Sequence, residues 1–86
     1  MSKLEKLVAS LLSGSSDHSF SDVKRVLLEF GFVENRSRGS HHVFKHRDGR
    51  RQVIPRKHGK KVKKVYVAET VKLLKLEEWY EERNDN

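Results

Sequence analysis

Leu4, Leu7, Val8 and Leu11 recur at i, i+3, i+4 and i+7, the stripe that one helix face turns toward a core. Ser2 is placed to cap the first turn and Gly14, within Ser13-Gly14-Ser15-Ser16, to stop the helix, so the spacing predicts a helix over 3–13. Val23, Val26, Leu27 and Phe30 repeat the pattern over 20–30. Ser19 or Ser21 can cap this second helix, Asp22 makes an incomplete capping box with Ser19, and Gly31 follows the last turn. From Phe32 the period falls to two. Residues 32–37, 41–46 and 51–54 read as strands, with a turn at Arg38-Gly39-Ser40 and a tight hairpin at Arg47-Asp48-Gly49-Arg50. Pro55 has no N–H for a ladder, so it ends the third strand or lies on an edge. A basic loop over 56–63 leads into a final helix from about Lys64 to roughly Tyr80, with Val67, Ala68, Val71 and Leu74 on one face and an acidic end that frays from Glu77.

The order α-α-β-β-β-α predicts an α+β fold: a three-stranded antiparallel sheet with helices on one face and the other face free. Eighty-six residues, 35% of them apolar, support one small core and one domain over 1–86. The longest apolar run is Val65-Tyr66-Val67-Ala68, far below the ~20 residues a membrane span needs. No apolar stretch follows Met1-Ser2-Lys3, so no cleavable signal peptide is expected. Without cysteine there is no disulfide, thiolate metal site or cysteine nucleophile, and a cytoplasmic, reducing location fits.

Charge sharpens the picture. Nineteen Lys and Arg against twelve Asp and Glu give +7, but residues 36–64 hold twelve of the cations and only Asp48 as acid, so this stretch is +11 and the remainder −4. Such a block points to a polyanion, with nucleic acid the usual one; the other reading is a solvated, solubilising face. Lys60-Lys61-Val62-Lys63-Lys64 is best read as a phosphate-contacting segment at the start of the last helix, whose dipole also favours anions.

Strand parity selects a candidate within the block. Over 41–46 one face carries His41, Val43 and Lys45, and the other His42, Phe44 and His46. Phe44, the largest apolar group, belongs under the helices, which sends His41 and Lys45 to the open face. If Ile54 points inward, Val53 points outward and can pair with Val43, an apolar spot ringed by charge that suits a protein partner. An imidazole with a pKa near ~6.5 exchanges protons at neutral pH. RNA cleavage needs such a group at the 2′-hydroxyl, with cations to steady the phosphorane-like charge. Gly39 and the free amides of Gly39-Ser40 could admit a phosphate. Equally, these histidines could be ordinary strand residues. Metal binding is disfavoured: His42 and His46 share a face but lie ~13 Å apart along a strand. His18, beside a helix cap, reads as surface, and His58 lies in the basic loop. A binding module without catalysis and, more remotely, a DNA-binding accessory protein remain open.

Gly31-Phe32, Arg38-Gly39-Ser40-His41-His42-Val43-Phe44-Lys45-His46, Asp48-Gly49-Arg50-Arg51 and Val53-Ile54-Pro55-Arg56, followed by His58-Gly59-Lys60 and Lys63-Lys64, resemble the HicA toxin family over about residues 20–76. The resemblance implies a double-stranded-RNA-binding-domain-like α-β-β-β-α core, with helix 3–13 and the acidic tail 81–86 outside it. It implies a type II toxin that cleaves mRNA without metal or cofactor and is neutralised by a HicB-like antitoxin. The family's essential histidine falls on His41, with His42 the second choice, and Gly39 is the motif glycine. Ser40, Lys45, Arg50, Arg51, Arg56, Lys57, Lys60 and Lys61 are then the candidate RNA contacts. The chain departs from the family pattern at Arg47, where proline is frequent, at Gln52, where an apolar residue is usual, and at Val65-Tyr66-Val67, where the last helix opens.

Overall fold

The first helix begins with a reciprocal cap: Glu5 N–H donates to Ser2 Oγ at 3.0 Å, and Ser2 N–H to Glu5 Oε1 at 2.9 Å. In the computed structural model, which describes residues 2–14, 18–56 and 60–84, this helix α1 spans Lys3–Leu12, and β1 (His18–Ser19) follows. Helix α2 (Phe20–Glu29) is capped by Ser19, whose Oγ accepts from Asp22 N–H at 3.2 Å. The remaining elements are β2 (Phe32–Arg38), β3 (His41–His46), β4 (Arg51–Pro55), β5 (Lys61–Val62), α3 (Lys64–Leu74) and α4 (Leu76–Asn84).

Strands β2, β3 and β4 form the antiparallel sheet expected, in that order. Its inner face carries Phe32, Phe44 and Ile54, packed with Val8 of α1, Val23, Val26 and Leu27 of α2, Val67 of α3 and Leu76 of α4, all fully or nearly fully buried. Gln52 also lies inside, where its amide donates to Thr70 Oγ1 at 3.4 Å, and that hydroxyl donates to the Tyr66 carbonyl at 3.0 Å. A polar residue at a usually apolar position is thus accommodated by a threonine on α3.

Four features differ from the sequence reading. First, β2 carries a bulge at Asn35, since Glu34 lies opposite Phe44 and Arg36 opposite Val43. One unpaired residue inverts the alternation beyond it, sending Arg36 and Arg38 outward and Ser37 inward beside His42. Second, part of the supposed basic loop is a strand. In a two-stranded sheet, His18 pairs with Val62 and Ser19 with Lys61, and Phe20 N–H donates to the Lys60 carbonyl at 2.7 Å. His18 is consequently 5% exposed rather than on the surface.

Third, the last helix is two helices. Lys75 adopts a left-handed conformation (φ 53°) and closes α3 through bonds to the Val71 and Lys72 carbonyls. That turn drops Leu76 into the core, which a straight helix would carry past it. Fourth, the segment from Glu77 is helical to Asn84. It is held by an edge-on contact between Phe30 and Trp79, 5.3 Å between centroids, and by Arg83 over the Trp79 ring at 4.7 Å.

Candidate functional site

The two-residue turn Gly39-Ser40 joins β2 to β3 and places Arg38 directly opposite His41. Gly39 has φ +56°, which a side-chain-bearing residue adopts at a cost, and an added Cβ would meet nothing within 4 Å. The glycine is therefore accounted for by the turn, and the space above it is open. The Ser40 carbonyl accepts from Arg56 N–H at 2.7 Å, which ties the end of β4 to this turn.

The pairings set out the open face as three rows: Arg38-His41-Pro55, Arg36-Val43-Val53 and Val33-Lys45-Arg51. None of these nine positions carries an acid. His41, Arg36, Arg38, Lys45 and Arg51 are exposed, and Val43 and Val53 form the half-buried pair expected, with Val33 65% exposed beside Lys45. His41 thus stands free at one end of a cationic sheet face.

His42 points the other way and is 8% exposed. Its ring lies 4.4 Å from Phe20, centroid to centroid, and its Nδ1–H donates to Glu34 Oε2 at 2.6 Å. Ser37 Oγ donates to the same oxygen at 2.5 Å, and Lys24 Nζ pairs with Glu34 Oε1 at 2.9 Å. The Ser37 hydrogen bond first, then Lys24 and His42, hold the Glu34 carboxyl down to about 2. This network joins α2 to β2 and β3 and holds the His42 ring against the inner face of the sheet.

Beside His41 lies a hollow of about 220 Å³ lined by His41, Pro55, Arg56, Lys63 and Tyr66. Arg56 stacks over Phe20, its guanidinium carbon 4.9 Å from the ring centroid, and its buried Nε has no hydrogen-bond partner among the described residues. Lys63 is the residue before α3, and no side chain caps that helix. Of the sequence candidates, the fold brings His41, Gly39, Ser40 and Arg56 together. Lys45 and Arg51 share the open face but sit two rows away, ~13 Å along the strand. Arg50 is farther still. Its Nε donates to Asp48 Oδ2 at 2.9 Å, its Nη1 donates to the Leu73 carbonyl at 3.1 Å, and it lies over Phe32. Lys60 and Lys61 are exposed on and beside β5. Lys57 and His58 lie outside the described residues.

Arg38 and Tyr66 lie beside His41 although the sequence reading does not single them out, whereas Lys63 belongs to the segment expected to contact phosphate. Periodicity alone leaves Arg38 in the turn rather than in the strand opposite His41. Tyr66 stands three residues after Lys63 in the first turn of α3, a spacing that puts both on one side of a helix. Among the described residues no group of three or more His, Asp or Glu is arranged to hold a metal ion, and no helix is long and apolar enough to cross a membrane.

A family model described as HicA toxin of bacterial toxin–antitoxin systems matches residues 20–76, two thirds of the chain. The match begins at the first residue of α2, so α1 and β1 lie outside it, and it ends at Leu76, the first residue of α4. No curated protein and no solved structure matches the chain.

Proposed function

The chain belongs to the HicA toxin family, the toxin side of a toxin–antitoxin pair, and on that premise we propose that it is a metal-independent endoribonuclease acting on mRNA, with His41 as its proton-transfer residue. His41 takes the proton of a ribose 2′-hydroxyl as that oxygen attacks the adjacent phosphorus. The P–O5′ bond breaks, leaving a 2′,3′-cyclic phosphate and a 5′-oxygen that gains its proton from solvent. Arg38, opposite His41, and Arg56 and Lys63, in the adjoining hollow, offset the charge that builds on the phosphorane oxygens. Lys45, Arg51 and Arg36 extend the cationic surface along the strand that follows. A HicB-like antitoxin neutralises the toxin, and the setting is the cytoplasm.

The observation that supports this reading most is the exposure of His41 on a sheet face without acids, beside a hollow also lined by Arg56 and Lys63. The test is a gel of end-labelled mRNA incubated with the purified protein in EDTA. Cleavage leaving 2′,3′-cyclic phosphate ends is the expected result. Retardation without cutting would replace the reading with that of a binding module.

A further inference from the structure

We propose that the hollow beside His41 is a subsite for one unstacked nucleotide of single-stranded RNA, with the Tyr66 ring as the platform against which its base stacks. The ligand class rests on the nuclease reading above. Three observations carry the proposal. The first is size: at about 220 Å³ the hollow is below the ~300–1,000 Å³ that drug-sized ligands fill. It has room for one nucleotide's base rather than several.

The second observation is the lining. Tyr66 is half-buried and packs against the core, so its ring is fixed before any ligand arrives, at little further entropic cost. Single-stranded RNA is bound elsewhere by this combination, an aromatic face for a base and cations for the backbone beside it. The third is the unused capacity for anions. Arg56 lines the hollow and is held by stacking on Phe20. Helix α3 opens at the hollow's edge with Lys63 as its N-cap residue, no side-chain cap and no acid in the first turn. A phosphate there would meet a guanidinium, an ammonium and the positive end of a helix dipole. Stacking on Tyr66 requires a base that has left its neighbours. The double-stranded-RNA-binding-like core therefore serves here to take hold of unpaired RNA.

Binding of a fluorescent 2′-fluoro oligoribonucleotide, which lacks the attacking hydroxyl, is followed by anisotropy, as a single strand and annealed to its complement. The wild-type protein is expected to prefer the single strand. Tyr66→Ala should weaken that binding by roughly 5- to 150-fold, the range for removal of one stacking platform, with little change for the duplex. Tyr66→Phe should stay within about twofold of wild type, because it keeps the ring. Tyr66→Leu fills the same core space without a π face and should fall with the alanine variant, so a folding defect cannot pass for missing stacking. Unchanged single-strand affinity in Tyr66→Leu overturns the proposal. So does a preference for duplex, or a Tyr66→Phe effect as large as that of Tyr66→Ala, which would make the hydroxyl the binding group. Failure of the nuclease reading is seen separately, as unmodified RNA left intact by the wild-type protein.

Discussion

Replacing Glu34 by glutamine keeps the side chain's size and removes its charge. In the folded protein the Ser37 hydroxyl, Lys24 and His42 converge on that carboxylate and hold its pKa down from 4.5 to about 2. The gap corresponds to at most ~3 kcal/mol in favour of the ionised form. Glu34 keeps 21% of its side-chain exposure and Lys24 39%, so screening by water reduces the figure to ~1–2 kcal/mol. Because the folded pKa lies below the unfolded one, this stability is complete above pH ~5 and is lost as the pH falls toward ~2. Wild type should therefore melt ~4–15 °C above Glu34→Gln at neutral pH. That gap should shrink steadily as the acid limb is descended. Circular dichroism melts of the two proteins across the range measure it. Glu5 and Asp48 are also held below the usual carboxylate range, by backbone hydrogen bonds at Ser2 and Arg50 first. They are common to both proteins and cancel in the difference. Equal melting at neutral pH, or a gap that stays constant down to pH ~2.5, would show that the ionised Glu34 carboxylate is not a source of stability.

Gly31 has φ +91°, and a Cβ there would lie 2.8 Å from His46 Nε2, so Gly31→Ala should cost ~1–3 kcal/mol in urea unfolding; an unchanged midpoint would show that the turn relaxes freely. Lys75→Gly relieves a left-handed non-glycine residue and should stabilise by ~1 kcal/mol, read as a higher melting temperature; a lower one would mean that the Lys75 side chain contributes more than its backbone costs. Lys45→Ala with Arg51→Ala should reduce the slope of log affinity against log salt for single-stranded RNA by ~0.7 for each phosphate left without a cation. An unchanged slope would take those two residues off the RNA path.

The helix stripes, the three strands and the inward face of Phe44 are legible because each repeats a period and one large apolar residue fixes which side is in. The outward placement of His41 follows from the same parity. What escapes depends on single residues that break a period. The bulge at Asn35 leaves no signature in the hydrophobic pattern, yet it decides that Arg36 and Arg38 join His41 on the open face. Lys75 in a left-handed turn has no glycine to announce it, so the periodicity predicts a continuous helix where two meet. His18 and Val62 are brought together by a pairing across 44 positions, which local propensity does not encode. Tyr66 escapes notice because it falls outside the apolar face of Val67, Ala68, Val71 and Leu74. It packs against the core all the same, and it also lines the hollow beside His41.

In the proposed mechanism the exposed His41 imidazole moves the proton, while His42 only holds the fold together. The direct test is single-turnover cleavage of one RNA by wild type, His41→Ala and His42→Ala, each with its circular dichroism spectrum and melting curve. His41→Ala should keep its fold and fall ~10²–10⁴-fold in rate, while His42→Ala should melt earlier and retain chemistry in whatever fraction stays folded. Cleavage by folded His41→Ala at the wild-type rate would rule out His41 as the proton-transfer residue.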